Sequence, residues 1–237
     1  MPHDVADQNA LAKIATEFPR RVSWTIVLDG NNLGRVESTR PSAYSLYADV
    51  GTENLTANSK PPAIQNGATE FATWMGQPRY RLLVAVSEPN YKDPDQWRPV
   101  DAPPTMRKQA LAAFRNKIAL DMNCDGKTTR SYPDSAIQIY GEPYRSMRDD
   151  VLIAMRPDPR LNHCDGPAGE EWQSVWFHLK GGNFRLIGSA LTLLDIGDYD
   201  GDGTAKILFQ YDGYDRDGYV LLDPRDDSKT ESSWSYH

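Results

Sequence analysis

Apolar runs of four to eight residues, broken about every 10–15 positions by Gly, Asp, Asn and Pro, dominate this chain of 237 residues. That rhythm predicts strands joined by tight turns. Val22–Leu28 is β-branched and aromatic, Asp29-Gly-Asn-Asn is turn-forming, and Leu33–Ser38 continues as a second strand, so a hairpin is expected there. Ala43–Val50 follows closely and predicts a three-stranded meander. The apolar centre of Arg79–Ser87 predicts a strand buried on both faces. Beyond residue 120, runs beginning at Ala136, Asp150, Ser174, Phe184, Leu191, Ala205 and Gly218 predict further strands. No helical stretches separate them, so the pairing is expected to be antiparallel.

Two segments carry a helical period instead. Residues 8–18 place apolar side chains at Leu11, Ile14, Ala15 and Phe18 before Pro19 stops the pattern, and Thr105–Ala119 reads as a helix with Thr105 as N-cap. The polar stretch Gly51–Gln77 predicts a long surface excursion. The expected fold is mainly β and antiparallel, in one β-rich domain over 1–237. It would be built either as propeller-like blades or as an irregular multi-sheet assembly with one or two short helices.

Composition narrows the partners more than the fold. A net charge of -7 disfavours a nucleic acid held by phosphate contacts, and no apolar run is long enough for membrane insertion. Cations, carbohydrate or another protein suit the surface better. The first residues, Met-Pro-His-Asp-Val-Ala-Asp, lack the basic and apolar regions of a secretory signal. Cys124 and Cys164 stand in similar Cys-Asp-Gly settings and would form one disulfide in an oxidising compartment or remain two thiols in cytosol.

The sharpest chemical signal is Asp198-Tyr-Asp-Gly-Asp-Gly203, lying between two apolar β-type runs. Alternate carboxylates in a tight glycine-bent loop can converge on a calcium ion, which takes six to eight oxygens. Asp198, Asp200 and Asp202 are the candidate ligands. An EF-hand would need flanking helices and a Glu at the twelfth loop position, where Phe209 stands. The run Leu193–Phe209 resembles the FG-GAP or VCBS-type repeat, with the similarity spanning about residues 191–224. More loosely, Trp24–Gly30, Asp165-Gly-Pro, Trp176-Phe and Trp234-Ser-Tyr-His resemble bacterial exported proteins that carry one such repeat. The resemblance implies bound calcium and a periplasmic or secreted location. It also implies an acidic residue at the ninth loop position, where this chain has Lys206. An ammonium there can replace the ion electrostatically, so a calcium site and a salt-bridged turn are both open.

Weaker candidates surround that loop. Asp121, Asn123, Asp125 and Gly126 repeat the spacing after a helix, and Asp212, Asp215 and Asp217 form a third acidic patch that a hairpin could fold toward the same ion or leave as a solvated turn. His178, in an alternating strand, is expected to be a half-buried structural residue; His163 and Cys164 are adjacent and so point to opposite faces of an extended chain. Tyr91, Trp97, Trp172 and Tyr214 are expected at the surface, where aromatic rings can stack on sugars or cover a sheet. No nucleophile elbow, Walker loop, dinucleotide fingerprint or zinc-protease motif occurs. The expected role is a non-enzymatic structural or binding protein that binds calcium or mimics a calcium turn. The alternatives are a secreted hydrolase of polysaccharide or peptidoglycan working through carboxylates, and a protein-interaction module such as an inhibitor or adhesin.

Overall fold

A computed structural model describes residues 12–13, 16–40, 43–45, 50–62, 70–72, 78–80, 82–120, 132–162 and 169–235. The chain is mainly β, with three antiparallel sheets and one long helix. It opens with the hairpin β1 (Arg21–Leu28) and β2 (Asn31–Thr39). Two short ribbons follow, β3 (Ala43–Ser45) with β4 (Val50–Thr52) and β5 (Glu70–Ala72) with β6 (Pro78–Tyr80). Next come β7 (Val84–Val86), β8 (Arg98–Pro99), the helix α1 (Pro104–Lys117), β9 (Ile137–Ile139) and β10 (Tyr144–Arg145). The longer strands close the chain: β11 (Val151–Pro157), β12 (Val175–Lys180), β13 (Asn183–Ser189), β14 (Leu191–Gly197), β15 (Lys206–Asp212), β16 (Arg216–Asp223) and β17 (Ser228–Ser235).

The first sheet runs β2-β1-β7 and the second β13-β12-β11-β10-β8, with β9 on the end of β11; the third is the meander β14-β15-β16-β17. The turn between β1 and β2 is the two residues Asp29 and Gly30, with φ of 51° and 73°, as a hairpin twisted like its strands requires. The expected third strand of that meander does not join it. Ala43–Ser45 pairs with Val50–Thr52, and the sheet is completed by β7. Burial on both faces does not hold for β7 either, since Ala85 is exposed and only Val86 is fully buried. In α1 the helix begins one residue before Thr105: Pro104 takes the first helical position, Pro103 is the N-cap, and no side chain caps the end. A proline there supplies the helical φ and lacks only an N–H that the first turn leaves unpaired. Among the described residues the sheets form no closed barrel or propeller.

The strands buried on both faces are β11 and β12. Val151, Ile153, Met155, Val175 and Phe177 pack against Met106, Ala110 and Phe114 of α1, while Leu152, Ala154 and Trp176 pack on the other side against Leu193, Ile207 and Phe209 of the third sheet. The result is a three-layer stack of helix, sheet and sheet. His178 lies on the second of these faces and is fully buried rather than half-buried. Tyr91, Trp97 and Trp172 are also buried, against the surface positions expected of them; Tyr214 is exposed as expected. Among the described residues no helix is long and apolar enough to cross a membrane.

Candidate metal-type turn

Gly197, the last residue of β14, pairs with Lys206, the first of β15, and the intervening acidic loop closes on itself through Asp198. Asp198 is buried, and its two carboxylate oxygens accept the backbone N–H groups of Asp202 (3.1 Å) and Gly203 (2.9 Å). Gly201 and Gly203 sit at φ of 72° and 81°, a backbone region in which a side chain is strained. Asp202 accepts the Thr204 N–H at 2.8 Å through its other oxygen, completing a nest of side chain to backbone bonds.

Into this nest reaches Lys206. Its Nζ lies 2.9 Å from Asp202 Oδ2, 3.2 Å from Asp200 Oδ1 and 4.0 Å from Asp223 Oδ2, and its side chain is only 8% exposed. Burial pulls the ammonium pKa down, but the hydrogen bonds to Asp202 and Asp200 outweigh burial and hold it above the ordinary lysine value. Reciprocally, the hydrogen bond from Lys206 is the chief cause that lowers the Asp202 carboxyl to about 2, against an opposing desolvation and with help from the Thr204 N–H and Arg225. Arg225 closes the outside, with its Nη2 2.9 Å from Asp202 and 2.6 Å from Asp223. Asp223 in turn is held below the usual carboxylate range by its bonds from Arg225.

Three carboxylate oxygens, one each from Asp198, Asp200 and Asp202, lie within 4.8 Å of one another, the spacing a metal ion needs. The same carboxylates are also engaged by the protein itself. Both oxygens of Asp198, both of Asp202 and Oδ1 of Asp200 accept protein hydrogen bonds. Each of these oxygens keeps a further lone pair, so the cluster could hold a metal ion, but a calcium ion would have to displace the Lys206 ammonium that sits against Asp200 and Asp202.

The turn is fastened to the segment before β8 at three points. The Asp198 N–H donates to Lys92 O at 2.9 Å, and the Ala205 N–H donates to Asp95 Oδ2 at 3.2 Å. Just before the loop, the fully buried Asp195 accepts the Tyr199 hydroxyl at 2.9 Å, the Gly30 N–H at 2.9 Å and a short bond from the Tyr91 hydroxyl. Burial, followed by the neighbouring Tyr199 and Asp195, pushes the Tyr91 hydroxyl pKa well up, so it stays a donor. Gly197 is required here, because a Cβ on it would lie 2.0 Å from the Tyr91 hydroxyl. A hydrophobic patch of Val27, Val86 and Tyr91 packs on Tyr199 beside these bonds.

Of the expected ligands, Asp198, Asp200 and Asp202 converge as read. Asp212, Asp215 and Asp217 do not join them: they sit at the β15–β16 turn, the other end of a seven-residue strand. Asp223 and Arg225 arrive instead from the β16–β17 turn, which an antiparallel meander brings to the same end as the acidic loop. The alternation of turns between sheet ends was the signal for them. The bonds by which Asp95 and Asp195 tie this turn to distant segments had no local signal, since Ala205 and Gly30 lie 110 and 165 positions from them in sequence. Asp121, Asn123, Asp125, His163, Cys124 and Cys164 lie outside the described residues. His178 is bonded through Nδ1 to Asp227 at 2.6 Å. The chain matches no known family model, no curated protein and no solved structure.

Proposed function

We propose that the protein is a non-enzymatic structural and binding protein of the bacterial envelope or exterior, whose acidic turn mimics a calcium-bound loop with Lys206 in the place of the ion. In this reading residues 191–224 are an FG-GAP or VCBS-type unit, and β14–β17 correspond to one blade-like meander. The observation that carries the proposal is the position of Lys206 Nζ, within 3.2 Å of both Asp200 and Asp202 and almost removed from solvent. A buried ammonium meeting two carboxylates supplies the positive charge that the nest requires, without depending on the calcium concentration outside the cell. The turn then acts as a permanent clamp that joins β14, β15, the β16–β17 turn and the Tyr91–Trp97 segment into one rigid edge.

Lys206→Asp tests this directly. It restores an acidic ninth position, so the variant is expected to lose stability in chelator and to regain it in millimolar calcium, while the parent responds to neither. A site filled to one hundred times its Kd gains about 2.7 kcal/mol, a shift of several degrees in Tm. A parent protein that itself gains several degrees with calcium would overturn the proposal.

A further inference from the structure

The same rigid edge borders a trough that the acidic turn does not use. Two adjoining clefts of about 390 and 350 Å³ lie on either side of Trp97 and Ser146, which line both. The first runs toward the β1–β2 turn at Asp29–Asn31; the second is walled by Arg148, Asp150, Lys180 and Arg225. We propose that this trough is a binding site for an uncharged oligosaccharide. The assignment deepens the binding role proposed above and rests on it, because Arg225 and Thr204 of the second cleft are held in place by the Lys206-filled turn.

Three properties point to that ligand. First, the lining is charged but balanced: Arg98, Arg148, Lys180 and Arg225 are matched by four aspartates, so neither an anion nor a cation is favoured overall. Second, the site holds unmet hydrogen-bonding groups of both kinds. The Trp97 indole N–H is buried without a partner and needs an acceptor. The Asp150 carboxylate accepts no hydrogen bond from the described residues; its ion-pair contact is His178 Nε2 at 3.9 Å, itself buried without a partner, and the carboxylate needs a donor. Sugar hydroxyls supply a donor and acceptors together on an uncharged frame, which a hydrocarbon or a simple ion cannot. Third, the walls are preorganised. Asp95 fixes Arg148 at 2.8 Å, and Asp93 accepts the N–H groups of Asp95 and Trp97 at 2.9 and 2.5 Å. Between them Gln96 is held at a φ of 49°, a conformation costly for a non-glycine residue. Walls fixed before the ligand arrives lose little entropy on binding, and the volumes are those of small-molecule sites.

The test is calorimetric titration of the full chain with uncharged tetrasaccharides of glucose, xylose, mannose and N-acetylglucosamine, followed in parallel by tryptophan fluorescence. A tetragalacturonate and a mixture of short peptides serve as the charged-sugar and peptide arms. At least one uncharged tetrasaccharide is expected to bind with a Kd between about 10 µM and 1 mM. Asp150→Asn is expected to weaken it about tenfold, and Trp97→Phe, which keeps a ring but removes the N–H, by a similar factor. Equal Tm values for Asp150→Asn and parent would show that the loss is not unfolding. The proposal is overturned if no uncharged sugar binds at about 10 mM, if uronate or peptide binds in preference, or if Asp150→Asn binds as tightly as the parent. An empty trough alongside a calcium-responsive Lys206→Asp would remove the ligand assignment alone. Sugar binding alongside a calcium-responsive parent would remove the turn assignment alone.

Discussion

Strand β15 joins two acid-rich turns of similar composition, and only the first closes around a nearly buried cation. At its start, Asp200, Asp202 and Asp223 surround the nearly buried Lys206, and Arg225 seals the outside. At its end, Asp212, Asp215 and Asp217 flank Arg216, whose nearest carboxylate outside that turn is Glu231 at 4.0 Å, with both side chains about half exposed. Arg216 rests instead near the Tyr211 ring, 5.8 Å from its centroid. The difference lies in where the cation is rooted. Lys206 begins a strand whose register with Gly197 fixes it across the loop mouth, so its chain crosses the carboxylates on the way out of the sheet. Arg216 is exposed at the start of its strand and has no such enclosure. Carboxylates close in sequence thus become a site only when the fold places a partner among them and removes water.

The comparison is broken most severely by Lys206→Ala, expected to cost about 2–3 kcal/mol in chemical denaturation, because it leaves two carboxylates crowded around an emptied position. Arg216→Ala, its counterpart, is expected to cost about 0.5 kcal/mol or less, as exposed ion pairs do. Gly203→Ala is expected to cost about 1 kcal/mol: nothing crowds its Cβ position, so the cost is the φ of 81° alone. Acid sharpens the contrast further. A free aspartate takes up its proton near 3.9, whereas Asp202 in the fold holds off until about 2. Falling pH therefore protonates the unfolded chain first, and the stability contributed by the Lys206 pair, complete above about 4, drains away as pH falls toward 2. Lys206→Met is expected to flatten that part of the Tm-against-pH curve, read by fluorescence between pH 5 and 2.5. The smallest effect is Asp215→Asn, whose Tm should match the parent within about one degree.

Legibility in the sequence followed the range of the interaction. The β1–β2 hairpin could be read from Asp29-Gly30, because two positive-φ residues between β-branched runs specify one kind of turn. The carboxylate convergence at Asp198–Asp202 was equally local. The third strand of the first sheet was misplaced, since β7 pairs with β1 across more than fifty residues and no local pattern encodes that choice. The aromatic positions failed for a related reason. Tyr91 and Trp97 sit in a turn-rich, polar segment that reads as surface, yet Tyr91 packs on Tyr199 with ring centroids 5.3 Å apart, and Trp97 joins the core between the second and third sheets.

By itself, then, the sequence determined the strand content, the first hairpin, a helix read at 105–119 and found at 104–117, and a calcium-type spacing of aspartates, all governed by contacts within a few residues. Only the tertiary structure decided that β11 and β12 are covered on both faces, that Asp223 and Arg225 share the acidic turn, and that a polar trough forms around Trp97. The physical reason is common to all three. Backbone conformation is set by neighbours along the chain, whereas burial and charge pairing depend on which surfaces meet, and those meetings join residues separated by tens to more than a hundred positions.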